Sequence, residues 1–457
     1  MNYFLGILFL ISGLLILIKP LYEKLTDYFI LKLNIAGLLN IALGLTIFLY
    51  GISQPDWSER LWSIVFIVFG FIAVIKGFLL FFFAERSEKI TRYFVQHYYK
   101  FVLPISAVYI FLSLLTITTD YIGPQKDISK CESDSYISVL CGFSNPEDIE
   151  ITPDGKFLFM SEFGGIGPYE ETSAGYFAML DLENDKKIVP EIVVGNNDWG
   201  NPDCSRNTSD SFGPHGIDMV QRNDGSYQIG VINHFPKESI EMFELSKKDS
   251  SWSLTWRGCI NVPDEYYFND IGLKKDGSFY ASHMYKRDIS FSEWLMVTIF
   301  KSDSGHVVLW EGDGFKKIPN SDGSGPNGIT LDEAANLLYI SYNQGDQIVI
   351  FNLSENSKVK SYFVQSPDNI HLEGNSAWIT SLDLQPNDVK YVGDCEKRIT
   401  CSLPFSVHEL DRNSLELKNK YSFSKTVFGL PTVAVPVNEK IYMGSFHSDR
   451  MGYFIKE

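Results

Sequence analysis

The chain has 457 residues, enough for more than one domain, and carries 56 acidic against 39 basic residues for a net charge of −17. Residues 1–125 hold nine basic and seven acidic residues, so nearly all of the negative excess lies in residues 126–457. An acidic region of this size argues against nucleic acid as a partner and fits bound cations or a solvated surface.

Four apolar runs open the chain: Tyr3–Ile18, Ile35–Ile52, Leu61–Phe83 and Phe101–Ile117. Each approaches the ~20 residues a bilayer-spanning helix needs, the first being the shortest. That first run lacks the basic start and small-residue cleavage site of a signal peptide. The runs predict an α-helical region over 1–120 that anchors the protein in a membrane with four transmembrane helices. Lys19, Lys24 and Lys32 follow the first run, and Arg86, Lys89, Arg92 and Lys100 follow the third, whereas only Arg60 lies between the second and third. This asymmetry assigns the odd-numbered loops to the cytoplasm. Everything after Thr118 then falls on the other side, whether periplasmic, extracellular or luminal. Gly6 and Gly13, Gly37 and Gly44, and Gly70 and Gly77 are pairs seven residues apart, so each pair shares a helix face. Small residues on one face let helices approach closely. Lys76 falls inside the third run, where an ionisable group is a functional candidate, although a single lysine can also snorkel.

All six cysteines lie in the second region: Cys131, Cys141, Cys204, Cys259, Cys395 and Cys401. Outside the cytoplasm they can form disulfides. Cys131 with Cys141, and Cys395 with Cys401, are close enough in sequence to pair locally, but the connectivity stays open. No Cys-x-x-Cys metal spacing is present. Asn207-Thr-Ser and Asn352-Leu-Ser match the glycosylation pattern.

The remainder of the chain, 121–457, repeats one pattern six times: a polar start, an alternating apolar strand, a tight turn and a second apolar strand. The repeats begin PEDIEI at Pro146, PHGIDM at Pro214, FNDIGL at Phe268, PNGITL at Pro326, PDNIHL at Pro367 and PTVAVP at Pro431. Their turns fall near Asp154, Asp224, Asp276, Glu333, Asn375 and Asn438, with Asp-Gly signals of β-hairpins. A spacing of roughly 55 residues per repeat is the size of a propeller blade, with room for outer strands. YFAMLDL from Tyr176 and QIVIFNL from Gln347 are candidates for such strands. The predicted fold is an all-β six-bladed β-propeller.

In a propeller the inner strands line a central tunnel, so equivalent repeat positions converge. Here these are Glu147-Asp148, His215-Gly216, Asn269-Asp270, Asn327-Gly328, Asp368-Asn369 and Thr432-Val433. Singly, Asn and Asp before a strand cap turns. Repeated in register, their oxygens form a hard-cation site that suits calcium better than zinc.

At these residues the second region resembles the paraoxonase (serum arylesterase/lactonase) family, and more distantly the gluconolactonase and strictosidine synthase-like propellers. The resemblance is carried in order by PEDIEI, by FGPHGI at Phe212, by VINH at Val231 followed by SIEMFEL, and by FNDI, PNGI and PDNI. It implies two calcium ions. Glu147, Asn269, Asn327, Asp368 and Asn369 are the implied ligands of a catalytic one. Asp148, Asp270 and the carbonyl of Ile217 are those of a structural one. His215 and His234 are the implied catalytic pair that activates water for attack on a small-molecule lactone or aryl ester.

The chain also departs from that family. Its last segment, GSFHSDRMGYFIKE, has no cysteine to staple the first strand to the last, and SLDLQPND lacks a histidine the family carries there. Val389–Pro404 resembles an insertion, and four membrane helices replace a single hydrophobic segment. These departures keep two alternatives open: a non-catalytic calcium-stabilised binding or scaffold propeller, and a transport or signalling role for the helices.

Overall fold

The computed structural model describes residues 2–54, 57–58, 60–119, 121–122, 125–165, 172–207, 209–248, 251–385, 388, 395 and 397–456. The chain divides into two compact units, Met1–Pro124 with Gln385–Tyr391, and the remainder.

The first unit consists of helices α1 (Asn2–Leu15), α2 (Lys19–Ile30), α3 (Leu33–Ile52), α4 (Leu61–Phe82), α5 (Ala84–Gln96) and α6 (Tyr98–Thr118). Three of them, α3, α4 and α6, are long and apolar enough to cross a membrane. A fourth span exists if α1 and α2, bent by 97° at their junction, are counted together. At about 1.5 Å per residue, α1 alone falls short of a ~30 Å hydrocarbon core. The segments read from sequence as the first and third loops are largely helical (α2 and α5). Both are charged and shorter than a span, so a search for spanning runs passes over them.

Small residues set the helix pairing. A Cβ built on Gly70 would lie 2.7 Å from the Gly44 carbonyl oxygen, and one on Gly77 equally close to that of Gly37. On α6, Ser106 and Ser113 donate hydrogen bonds to the Gly13 and Gly6 carbonyls of α1, at 2.8 and 2.7 Å. The predicted glycine faces are therefore the α1–α6 and α3–α4 contacts. Lys76 is exposed on α4, one residue from the face that meets α3.

The second unit is a ring of six sheets. Their innermost strands are Pro146–Ile151, Pro214–Gln221, Phe268–Leu273, Pro326–Asp332, Pro367–Glu373 and Pro431–Val437, the six predicted repeats. At the hairpin turns Gly155, Gly225, Gly277, Asn336, Gly374 and Asn438 take positive φ, which glycine and asparagine tolerate. Blade two gains a fifth strand, Glu191–Val194, parallel to Ser251–Asn261. The strand alternation gives each blade an apolar face toward each neighbour, so the six main apolar clusters each join two adjacent blades.

The ring closes without a cysteine in the last segment. Ser138–Cys141, from before the first repeat, pairs antiparallel with Arg450–Ile455 as the outermost strand of blade six. The disulfides are Cys131–Cys141, Cys204–Cys259 and Cys395–Cys401. An unpredicted apolar helix, α7 (Phe291–Phe300), interrupts blade three, started by a capping box between Ser290 and Glu293.

Candidate active site

All six inner strands lose register at the same point. Pairing breaks between Pro146 and Asp148, Pro214 and Ile217, Phe268 and Ile271, Pro326 and Ile329, Pro367 and Ile370, and Pro431 and Ala434. The residues at each break are those that the repeat alignment brings together. A bulge bends its strand and re-aims its side chains, which simple alternation does not describe.

Glu147, Asn269, Asn327, Asp368, Asn369 and His215 are all buried. Asn369 Nδ2 donates to Glu147 Oε1 at 3.1 Å. Glu147 Oε2, Asn269 Oδ1, Asn327 Oδ1 and Asn369 Oδ1 are buried without any hydrogen-bond partner. Each such atom costs about 1–3 kcal/mol, and folded proteins keep few of them. Four of them, three at the second repeat position and Asn369 at the third, form a set of oxygen donors that fits a hard cation such as calcium.

Asp148 and Asp270 behave differently. Asp148 accepts from the backbone N–H of Ile149 at 2.9 Å and of Ile217, in the next blade, at 2.8 Å. Asp270 likewise accepts from Ile271 at 2.8 Å and from Ile329 at 2.7 Å. These carboxylates stitch neighbouring blades together, and their remaining lone pairs stay open to a cation. Ile217 thus meets Asp148 through its N–H, which leaves the role of its carbonyl untouched.

Sequence reasoning missed Glu150, Asp218 and His371, which line one small cavity with Asp148, Asp270 and Asn369. All three hold the fifth position of their repeats, so the alignment that revealed the second and third positions could have found them. Asp218 accepts from the Leu273 N–H at 2.6 Å, repeating the stitch in the next blade.

No Lys or Arg lines this cavity among the described residues. Burial raises Glu147 far above the usual carboxylate range, and Asp148, Asp368 and Asp270 add repulsion. Burial pushes Asp148 to about 7 despite its two backbone hydrogen bonds, Asp218 to about 6 and Asp368 to about 8. Glu150 and Asp270 are also raised well above their ordinary values, mainly by burial. Burial lowers His371 to about 4. So many buried carboxyls with no lining cation to balance their ionised forms are the electrostatic counterpart of the orphaned oxygens.

The two expected histidines meet. His215 Nδ1 lies 3.0 Å from His234 Nε2. His215 Nε2 lies 3.7 Å from Glu147 Oε1, and the ring stacks on Phe163 with centroids 4.4 Å apart. Burial, then the neighbouring His234, holds His215 well below its usual pKa, so it is neutral near pH 7. His234 packs on Tyr267 and sets Nδ1 against Glu238, which sequence reasoning did not single out. Phe163, Tyr267, Met284, Tyr285 and Ile289 form an apolar cluster there, joined by Trp294 of α7 and by Phe446.

Three features expected from sequence fall partly outside the described residues. They are the middle of the SLDLQPND stretch, most of 389–396 in the expected insertion, and Thr208 of the first glycosylation pattern.

The sequence profile of the arylesterase family matches residues 136–451. The chain belongs to the arylesterase family. Mouse serum paraoxonase/arylesterase 1 is 29% identical over 155 residues, covering 33% of this chain and 41% of that protein. Rat serum paraoxonase/arylesterase 2 is 25% identical over 198 residues, covering 43% and 52%. The match therefore spans about half or less of these relatives' length. Among solved structures, a luciferin-regenerating enzyme is 10% identical with a TM-score of 0.41, covering 70% of this chain and 93% of its own. A structure assigned as a gluconolactonase is 11% identical with a TM-score of 0.38, covering 71% and 94%.

Proposed function

We propose that this arylesterase-family chain is a calcium-dependent hydrolase of lactones or aryl esters, anchored in a membrane by its N-terminal helices. The observation that carries this reading is the ring of four partnerless buried oxygens beside the His215–His234 pair, with His215 held neutral. Glu147, Asn269, Asn327, Asp368 and Asn369 would hold one ion, and Asp148, Asp270 and the Ile217 carbonyl a second, structural one. Calcium so held supplies Lewis-acid polarisation of the substrate carbonyl and stabilises the negative charge that attack creates.

The remaining work falls to the chain's own groups. The Nε2 lone pair of His215 takes a proton from the attacking water, and a neutral imidazole is the form that can do so. His234 orients His215 through the bond to its Nδ1. The aromatic wall of Phe163, Tyr267 and Tyr285 excludes water and receives the apolar part of the substrate. The disulfides fit a propeller on the non-cytoplasmic side of the membrane, in keeping with the charge asymmetry of the helix loops.

Purified full-length protein should hydrolyse members of a lactone and aryl-ester panel with calcium. It should lose that activity on chelation and in His215→Ala. A calcium-replete protein that turns over nothing in the panel would leave the second reading, a calcium-stabilised binding propeller. Stitching of blades by Asp148, Asp218 and Asp270 favours that reading, since it gives tunnel carboxylates a structural role. It predicts that chelation lowers the melting temperature with no turnover to lose.

A further inference from the structure

His234 Nδ1 lies 3.0 and 2.9 Å from the two carboxylate oxygens of Glu238, four residues on. The side chain of His234 is 1% exposed and that of Glu238 is 12% exposed, so the contact is shielded. We propose that Glu238 is a positioning residue that fixes the tautomers of both histidines. This role rests on the hydrolase reading above and adds a third member to the pair.

Donor and acceptor roles propagate from the carboxylate. An ionised carboxylate only accepts hydrogen bonds. In the neutral form of His234, Nδ1 then carries the hydrogen and Nε2 is left as an acceptor. His215 Nδ1, 3.0 Å away, must donate to it. The second nitrogen of His215 is thereby left bare. That nitrogen, Nε2, is the one on the side of Glu147. Without a carboxylate at position 238 both rings are free to take the opposite tautomers, which would place a hydrogen where a base is needed. In the forward step His215 Nε2 receives the water proton and His215 Nδ1 releases its own to His234 Nε2. The positive charge then rests beside Glu238, and the reverse transfers deliver a proton to the leaving alkoxide.

The scaffold holds Glu238 in place. Asn233 Nδ2 donates to the Lys237 carbonyl and to Ser239 Oγ, both at 3.0 Å, bracketing Glu238 on either side. Asn233 Oδ1 accepts from the Gly213 N–H at 2.7 Å. The His234 N–H donates to the Gly213 carbonyl at 2.9 Å. Lys237, the adjacent cation, is turned away to Asn261 Oδ1 at 3.1 Å. The loop is thus tied to the strand that carries His215, and both ends of the relay share one blade.

The test uses full-length protein in detergent with selectively ¹⁵N-labelled histidine, eight sites in all, His234 being assigned by its loss in His234→Gln. Wild type should show a hydrogen on Nδ1 of His234 and none on Nε2, with and without calcium. In Glu238→Gln that hydrogen should shift or leave. Its kcat should fall by about 10- to 100-fold while KM and calcium affinity change less than about threefold. Glu238→Asp, which keeps the charge, should recover part of kcat. A wild-type His234 protonated on Nε2 overturns the proposal. So does a Glu238→Gln protein with unchanged kcat, or one whose loss matches an equal loss of calcium affinity. If wild type hydrolyses nothing, the hydrolase reading fails, and the tautomer measurement still decides the role of Glu238.

Discussion

Asn369 Nδ2 donates to Glu147 Oε1 at 3.1 Å, joining residues 222 positions apart and leaving Asn369 Oδ1 and Glu147 Oε2 buried without partners. The bond orients the amide, and the two spare oxygens are what a cation would use. Glu147→Gln should therefore have opposite effects in two states. In calcium-free protein it removes a carboxyl group that burial and three neighbouring carboxylates oppose, so the melting temperature should rise. In calcium-saturated protein it removes a charged ligand, so the melting temperature should fall. Thermal melts of wild type and variant in both states check this, and a change of the same sign in both counts against a cation at Glu147.

Calcium removal itself should destabilise the propeller. Saturation at a thousandfold excess over Kd contributes about 4 kcal/mol. For a domain of this size that corresponds to roughly 10 °C in melting temperature. Scanning calorimetry against added chelator measures it, and an unmoved transition would contradict the metal reading.

Calcium-free protein should lose stability as pH rises past neutrality. Asp218, Asp148 and Asp368 titrate at about 6, 7 and 8 when folded. Unfolded carboxylates titrate near 4. His215 and His371, held low by burial, bind fewer protons folded than unfolded and oppose this trend up to about pH 6.5. Above that the raised carboxyls dominate, so stability falls through about pH 7 to 8, and Glu147, Glu150 and Asp270 extend the fall upward. Bound calcium keeps the groups ionised, so the slope should flatten and binding should release protons. Denaturant titrations across that range, with and without calcium, give the comparison.

In the helical unit, Gly70→Leu should separate α3 from α4, because its Cβ alone would sit 2.7 Å from the Gly44 carbonyl oxygen. Overpacking of this kind costs about 1–3 kcal/mol or more. Lys76→Leu, at an exposed position on the same helix, should leave the unit intact. Thermal stability of the detergent-solubilised variants separates the two, and an altered function in Lys76→Leu would revive a role for that lysine beyond snorkelling.

Much of the site was legible because a repeat converts spacing into geometry. Once six segments share one phase, equivalent positions must converge, and Glu147, His215, Asn269, Asn327 and Asp368 follow from counting. Glu150, Asp218 and His371 obey the same count but lie further along, where a single residue in a strand has no local signature. Glu238 was illegible for another reason. Its meaning depends on a loop that turns it back onto His234, and nothing in HFPKES marks a partner for a ring nitrogen.

Local pattern alone determined the two-part architecture, the six blades and the glycine faces of the helices. These rest on periodicity, turn chemistry and apolar length, which act over a few residues. Tertiary structure decided the rest: the register break in every inner strand, the closure by Ser138–Cys141, the course of α2, α5 and α7, and the order Glu238, His234, His215, Glu147. Each depends on contacts between residues distant in the chain. By strand alternation alone, the neighbouring carboxylates Glu147 and Asp148 would point opposite ways. The bulge beside them replaces that rule, so one reaches Asn369 and the other the backbone of the next blade. Only the packed ring could set that division, because the partners that define it come from other blades.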